Sequence, residues 1–516
     1  MSAVGRRWTA LLMLVAGVCA ANLIVAGSAY ARDAHVRSFD GTRILVHFFP
    51  AAGLQSRQRV PTVLMGPGWG QLGSTDQNSQ TSTTGGVIGI GVLRRHGYNV
   101  LTWDPRGFGG STGTVEVDSP KFEGRDVSAM ISWVGRQPEA LNDKRGDPRV
   151  GMVGGSYGGG IQLVSAAIDH RIDAIVPDIA WHSLATSLAK NRTAKSGWGI
   201  PLYQAAVLAH ARLDPHITSS AQQELGSFAV SPANVSFYAG RGPGSLVNKI
   251  IAPTLLIQGT VDTLFTLHES VENYDALRAH HVPVKLLWFC GGHGVCLTRP
   301  GDTARIQRDT LSWLDRYLQR QTGVRTGPGF EWLDQNGRSY SAPGYPLARA
   351  GALNGHGSGT LALIASGGSG PAPLPPGSSG LLGSIGGNFA AAKASNAVNV
   401  PIAAPKRTAI VMGAPRLKFD YKGTAPKADA RVLAQVLDRS TGKVLDNQIT
   451  PIQVRLDGRT HSVNLPLEIV TATARHGSRF ALQLVAQSVL YNTHPQGGSI
   501  TFSNVRVSVP LVRKGK

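Results

Sequence analysis

Arg149-Val150-Gly151-Met152-Val153, then Gly154-Gly155-Ser156-Tyr157-Gly158, then Gly159-Gly160-Ile161-Gln162-Leu163-Val164 read in succession as a buried strand, a tight turn and a helix. A serine in G-x-S-x-G at such a turn sits on a sharp bend, where the flanking glycines let backbone and helix come close and expose the hydroxyl. In a chain of 516 residues with 63 glycines the pentapeptide alone fits a structural glycine turn equally well. The rest of the chain decides between the two.

A serine hydroxyl attacks a carbonyl only when a base takes its proton and a third group orients that base. In the α/β-hydrolase arrangement the chain order is Ser, Asp or Glu, His. Pro253-Thr254-Leu255-Leu256-Ile257-Gln258-Gly259 has the pattern of a buried parallel strand and runs into Thr260-Val261-Asp262-Thr263-Leu264-Phe265, which puts Asp262 at the strand's carboxyl end. The next such run, Val284-Lys285-Leu286-Leu287-Trp288-Phe289, ends in Cys290-Gly291-Gly292-His293-Gly294. Singly, Asp262 could cap the helix that starts near Thr266 and His293 could be a packed loop histidine. Jointly, three correct residue types in the correct order, each after its own strand, favour a Ser156, Asp262, His293 triad. His182 follows a core-like strand too, but it precedes Asp262 and is read as structural or pocket-lining.

Two further segments fit. Val60-Pro61-Thr62-Val63-Leu64-Met65 leads to Gly66-Pro67-Gly68-Trp69-Gly70, the loop from which one oxyanion donor would come, paired with the N–H after the nucleophile. Those donors would be Trp69 and Tyr157. Asn99-Val100-Leu101-Thr102-Trp103 runs into Asp104-Pro105-Arg106-Gly107-Phe108-Gly109-Gly110-Ser111, read as turn architecture beside the site.

On GPGWG, DPRGFGGSTG, GGSYGGG, LLIQGTVDTLF and the Gly-Gly-His after Cys290, the chain from about Ser38 to Gln321 resembles the X-prolyl dipeptidyl aminopeptidase and cocaine esterase family of α/β-hydrolases. The resemblance implies a Ser-Asp-His triad, which maps onto Ser156, Asp262 and His293. It also implies a helical cap over the acyl pocket and a C-terminal jelly-roll domain. Family members commonly use a tyrosine side chain as an oxyanion donor; the matching position here is Trp69, whose backbone or indole N–H would take that role.

Length suggests two or three domains, and 42% hydrophobic with 16% charged residues describe a globular chain. Arg6-Arg7, an apolar run from about Ala10 to Ala26 and Ala29-Tyr30-Ala31 read as a secretory signal over residues 1–31, with a membrane anchor as the alternative. Removing Arg6 and Arg7 with that signal takes the formal charge from +20 to +18. The cations are scattered, with no basic run beyond Arg513-Lys514-Gly515-Lys516, so attraction to an anionic cell envelope is expected rather than nucleic-acid binding. In an exported chain Cys290 and Cys296, bracketing His293, are expected to pair as a disulfide. Closing so small a loop is worth about 2 kcal/mol. Zinc is the weaker alternative, since no fourth ligand is evident.

The expected architecture is an α/β-hydrolase core (32–182 and 249–322) with a helical cap (183–248). A Gly/Ser/Pro-rich connection (323–398) follows, containing the first part of the C-terminal domain, and then a β-sandwich (399–516). The cap holds Lys190, Arg192, Lys195, Arg212 and Arg241 against only Asp214 and Glu224. A dipeptidyl peptidase needs carboxylates for a substrate's amino terminus, so this balance favours a small-molecule ester or amide over an X-Pro peptide. The expected protein is an exported serine hydrolase of carboxylesterase or acylase type, secreted or attached to the envelope, working without metal or organic cofactor. X-Pro dipeptidyl cleavage is the second reading, and a non-catalytic envelope-binding protein on the same scaffold the third.

Overall fold

The central strands of the first sheet are apolar along most of their length because they are covered on both faces. The computed structural model describes residues 30–81, 88–373, 389–491, 493, 495 and 497–513. The segment read as a signal lies outside the described residues except for Tyr30 and Ala31. Among the described residues no helix is long and apolar enough to cross a membrane.

In chain order the first strands are β1 (Arg32–Arg37), β2 (Arg43–Phe49), β3 (Thr62–Met65) and β4 (Asn99–Trp103), followed by a short hairpin of β5 (Asn142–Lys144) and β6 (Asp147–Pro148). Then come β7 (Val150–Gly155), β8 (Ile172–Asp178), β9 (Thr254–Gly259), β10 (Val284–Phe289), β11 (Phe330–Leu333) and β12 (Ser339–Ala342). Ten of them, all but β5 and β6, form one sheet in the order β1-β2-β4-β3-β7-β8-β9-β10-β11-β12. Pairing is parallel from β4 to β11 and antiparallel at both edges. Alternate residues go to opposite faces: Leu64, Leu101 and Met152 join the core that includes the helices Glu123–Val134, Tyr157–Ile168 and Leu267–Ala279. Val63, Val100 and Val153 join the core with Ile90–Arg95 and Arg305–Tyr317.

The second domain is antiparallel: β13 (Arg349–Ala362), β14 (Ala397–Ile402), β15 (Ala409–Gly413), β16 (Arg416–Asp438), β17 (Lys443–Pro466), β18 (Val470–Ala474), β19 (Phe480–Val485) and β20 (Ser499–Val512). Their order is β17-β16-β19-β14-β13-β20-β15-β18. The first half of β16 also pairs with β20 and its second half with β19, which folds the sheet into two layers around Leu417, Phe419, Leu482 and Phe502. The fold is thus an α/β-hydrolase domain with a helical cap, followed by a β-sandwich.

Two features differ from the sequence reading. β11 and β12 lie inside the segment read as a connection, yet they complete the hydrolase sheet, because Phe330-Glu331-Trp332-Leu333 is a strand too short to stand out in a Gly/Pro-rich stretch. Arg431–Val436 and His461–Leu465, read as short strands, are parts of β16 and β17, which run for 23 and 24 residues.

The cap is built from the helices Leu184–Leu188, Ser196–Leu208, Pro215–Gly226 and Pro232–Ala239. The third is started by Asp214, whose side chain accepts from His216 N with Pro215 at the first helical position. Ser231 and Pro232 start the fourth in the same way.

Candidate active site

Ser156 joins β7 to the helix Tyr157–Ile168 with φ 58° and ψ −117°, a backbone that a non-glycine residue keeps only where its surroundings enforce it. The Ser156 N–H donates to Asp178 O at 2.9 Å. A Cβ on Gly158 would stand 2.2 Å from Gly66 O, so only glycine lets the helix start this close to the loop after β3.

Three side chains from the carboxyl ends of β7, β9 and β10 meet here. His293 Nε2 is 2.7 Å from Ser156 Oγ, and its Nδ1 is 2.7 Å from Asp262 Oδ2. That carboxylate also accepts from the N–H groups of Leu264 (2.9 Å), Phe265 (2.8 Å) and His293 (3.1 Å). Asp262 is fully buried, so these donors fix its orientation. With Nδ1–H donating to Asp262, Nε2 is left to accept the serine proton. Asp262 serves this turn and His293; the helix that starts at Leu267, as expected near Thr266, has Thr266 and not Asp262 at its N-cap. Gly292 is held at φ 104° by the same packing, since a Cβ there would lie 2.7 Å from Asp262 Oδ2.

The imidazole is walled edge-on by Phe265 and Trp198, with ring centroids 5.0 and 5.9 Å away. Cys290 and Cys296 are joined in a disulfide around it. Asp178, at the end of β8, is buried with neither carboxylate oxygen bonded to a partner. Burial, reinforced by the negative charge of Asp262, pushes it well above the usual carboxylate range.

Trp69 and Tyr157 both line the pocket at Ser156. The Trp69 indole N–H donates to Leu202 O in the cap at 2.8 Å, so the indole is taken and the backbone N–H is what Trp69 retains for an oxyanion. Tyr157 is the first residue of its helix, where a backbone N–H has no intrahelical acceptor. Its phenol is buried without a partner, and burial raises its pKa well above the ordinary value. His182 does not line the pocket: its Nδ1 is 2.8 Å from Asn273 Oδ1 and its N–H donates to Glu269.

The pocket beside Ser156 has a volume of about 70 Å³ and a mostly apolar wall that includes Leu184, Leu188, Leu202 and Ile217. At roughly 10–15 Å³ per enclosed water, this is room for about five waters, the size of a short acyl group. Among the described residues one carboxylate reaches it: Glu224, 5% exposed, with Oε2 lacking any partner and burial pushing its pKa up to about 7. The cap cations counted in the sequence are absent from the lining. Arg241 pairs with Glu116, Lys190 with Glu468, and Arg212 donates to Ser111 O and Gly113 O. The cap's charge balance therefore describes its packing, and among the described residues Glu224 is the one charged side chain of the cap on the pocket wall.

The acid loop is gripped from two sides. From the cap, buried Lys195 donates to Thr263 O and Leu264 O at 2.9 Å each, and Trp198 Nε1 donates to Thr263 Oγ1 at 3.1 Å. Burial brings the Lys195 ammonium down to about 8. From the β-sandwich, Gln448 Nε2 donates to Asp262 O at 2.9 Å and Asn447 Nδ2 to Val295 O at 3.2 Å, while Lys443 Nζ donates to Leu297 O. Asp446 and Asn447, at φ 49° and 58°, turn β17 at this point. No sequence motif marks Lys195 or Gln448, because each acts on a backbone carbonyl far away along the chain. Among the described residues no group of three or more His, Cys, Asp or Glu could hold a metal ion.

The whole architecture recurs in solved structures. A CocE/NonD family hydrolase from Staphylococcus aureus is 15% identical, with TM-score 0.63 over 93% of this chain and 93% of that one. An aminopeptidase from a Thaumarchaeota archaeon is 14% identical, with TM-score 0.67 over 94% and 96%. An α-amino acid ester hydrolase is 13% identical, with TM-score 0.65 over 95% and 100%. At such identities these likenesses establish the fold alone. The chain spans 28% of the length of the first curated relatives it matches. Residues 40–295, which carry all three side chains of the hydrogen-bonded chain, match the family model described as X-Pro dipeptidyl-peptidase (S15 family), and the hydrolase domain of this chain belongs to that family.

Proposed function

We propose that this protein is an exported serine hydrolase of carboxylesterase or acylase type that acts on esters or amides of short acyl groups. The observation that carries the reading is the unbroken chain from Ser156 Oγ through His293 to buried Asp262, at the wall of a small apolar pocket. His293 takes the serine proton as Oγ attacks the carbonyl, and Asp262 holds the imidazole and stabilises its charged form. The N–H groups of Trp69 and Tyr157 donate to the oxyanion. His293 then protonates the leaving group, and water, activated by the same histidine, releases the acyl group from Ser156. The apparent signal sequence and the Cys290–Cys296 disulfide support export.

Glu224 on the pocket wall is the observation that favours X-Pro dipeptidyl cleavage as the second reading, since a carboxylate there would pair with a substrate's ammonium. The test is hydrolysis of p-nitrophenyl acetate, butyrate and octanoate beside Ala-Pro and Gly-Pro p-nitroanilides. Short esters are expected to turn over and the anilides to stay inert, with Ser156→Ala lowering kcat by about 10⁴-fold or more. Efficient anilide cleavage requiring a free amino terminus would establish the peptidase instead. Absence of any Ser156-dependent labelling by an organophosphonate would leave a non-catalytic scaffold.

A further inference from the structure

Away from the catalytic pocket, a groove of about 900 Å³ lies at the junction of the two domains and shares no lining residue with that pocket. One wall is the β11–β12 hairpin, through Asn336, Arg338 and Tyr340; the other is the β-sandwich, through the loop after β14 and the ends of β18 and β20. The junction is tied together by Gln335, which donates to Thr473 O and accepts from Thr473 N, both at 2.8 Å.

Arg338, Lys406, Arg407, Arg475 and Arg513 line this groove, and among the described residues no Asp or Glu does. All five are exposed. Elsewhere in the molecule arginines are commonly held by carboxylates, as Arg106 is by Asp126, Arg171 by Asp169 and Arg305 by Glu331. Among the described residues none of the five is in an ion pair; Arg475 only reaches Asn336 Oδ1 at 3.5 Å. The buried carboxylate beneath the hairpin, Asp334, is already held by Thr473 Oγ1, Asn336 and the Arg338 N–H. Unpaired guanidinium forks grouped in one concavity suit carboxylate or phosphate groups.

We propose that this groove binds a chain of an anionic glycopolymer, such as a polyuronate or a poly(polyol phosphate), and so holds the enzyme on a polyanionic surface. The groove is of ligand-site volume, and its cations stand on several separate segments, which suits a ligand with repeated charges. Nucleic acid is disfavoured because, among the described residues, the single aromatic side chain of the groove, Tyr340, is 9% exposed and stacked on Trp332, leaving no platform for bases. A lipid surface is disfavoured because none of the large exposed hydrophobic residues lies in the groove.

The test titrates the full-length protein with polygalacturonate, poly(glycerol phosphate) and single-stranded DNA of equal charge, between 20 and 200 mM salt as rough bounds. Two variants accompany it. One carries Arg338→Gln, Lys406→Gln, Arg407→Gln, Arg475→Gln and Arg513→Gln. The other removes the same charge elsewhere through Arg57→Gln, Arg59→Gln, Lys121→Gln, Arg136→Gln and Arg145→Gln. At least one glycopolymer is expected to bind more tightly than the DNA, and which one binds identifies carboxylate or phosphate as the recognised group. The groove variant is expected to lose about tenfold or more in affinity, and its slope of log K against log salt to shrink by about 3. Ester turnover should be unchanged in both variants, and the second variant should still bind. Equal losses in the two variants would reduce the effect to net charge and overturn the proposal. Binding of neither glycopolymer, or DNA binding as tightly as either, would overturn it as well.

Discussion

Glu224 places a single buried carboxylate on the apolar wall of the pocket beside Ser156. Its carboxyl rises from an ordinary 4.5 to about 7 because it is buried, with Oε2 lacking any hydrogen-bond partner. Below pH about 4.5 the acid is protonated in folded and unfolded chains alike. Between about 4.5 and 7 the unfolded chain gives up the proton while the folded one keeps it, so stability from this group falls as pH rises, and it levels off above 7. Glu224→Gln is therefore expected to gain about 3 kcal/mol on the wild type between pH 4.5 and 8, read from urea unfolding at several pH values. In the same series KM for a butyrate ester should climb above pH 7 in the wild type, where an unpaired carboxylate faces an apolar acyl group, and stay flat in the variant. A KM indifferent to pH in both proteins would remove Glu224 from the substrate's path.

At the level of elements, the loops that carry Asp262 and His293 are held by hydrogen bonds from the cap and the β-sandwich. Gln448 on β17 donates to the carbonyl of Asp262 itself, and removing that donor leaves a buried carbonyl short of a partner. Gln448→Leu is expected to lower kcat about tenfold or more with KM nearly unchanged, because a carboxylate displaced by a fraction of an ångström mis-aims the imidazole while the pocket stays intact. Steady-state kinetics with a short ester would show it; an equal rise in KM would mean the pocket had moved too. The disulfide acts on the base loop in the same sense. Cys290→Ser with Cys296→Ser should cost about 2 kcal/mol of stability, seen as a lowered urea midpoint, and should reduce kcat more than it raises KM.

For the whole molecule, the division into two domains is sharper in the topology than in the energetics. Ile410, Met412, Ile469 and Val512 of the sandwich belong to the same buried cluster as Leu64, Met152 and Leu256 of the hydrolase sheet. A second shared cluster joins Trp198 and Phe265 near the site to Leu433, Ile449 and Tyr491. Domains that share cores unfold together. Calorimetry is expected to give one transition, with van't Hoff and calorimetric enthalpies agreeing. Two resolved transitions would mean that the sandwich can leave while the triad survives, and the role given to Gln448 would lose its basis.

How much was legible follows from the range of the forces involved. The strands β3, β4, β7, β9 and β10 are readable as short apolar runs because both of their faces are buried, and Ser156, Asp262 and His293 are readable as the residues that follow three of those runs. A parallel sheet puts the carboxyl ends of its strands on one edge, so order along the chain already implies nearness in space. β11 is not legible in the sequence, because four residues in a glycine-rich stretch carry too little pattern. Lys195, Glu224 and Gln448 have no local pattern at all. Whether a glutamate in the cap lines a pocket or faces water, and whether a glutamine almost two hundred residues beyond Asp262 reaches its carbonyl, depends on how layers dock. Docking is settled by apolar area contributed from distant segments together, so the chain determined its strands and its candidate triad locally, while the tertiary structure alone decided which polar groups surround them and with what charge.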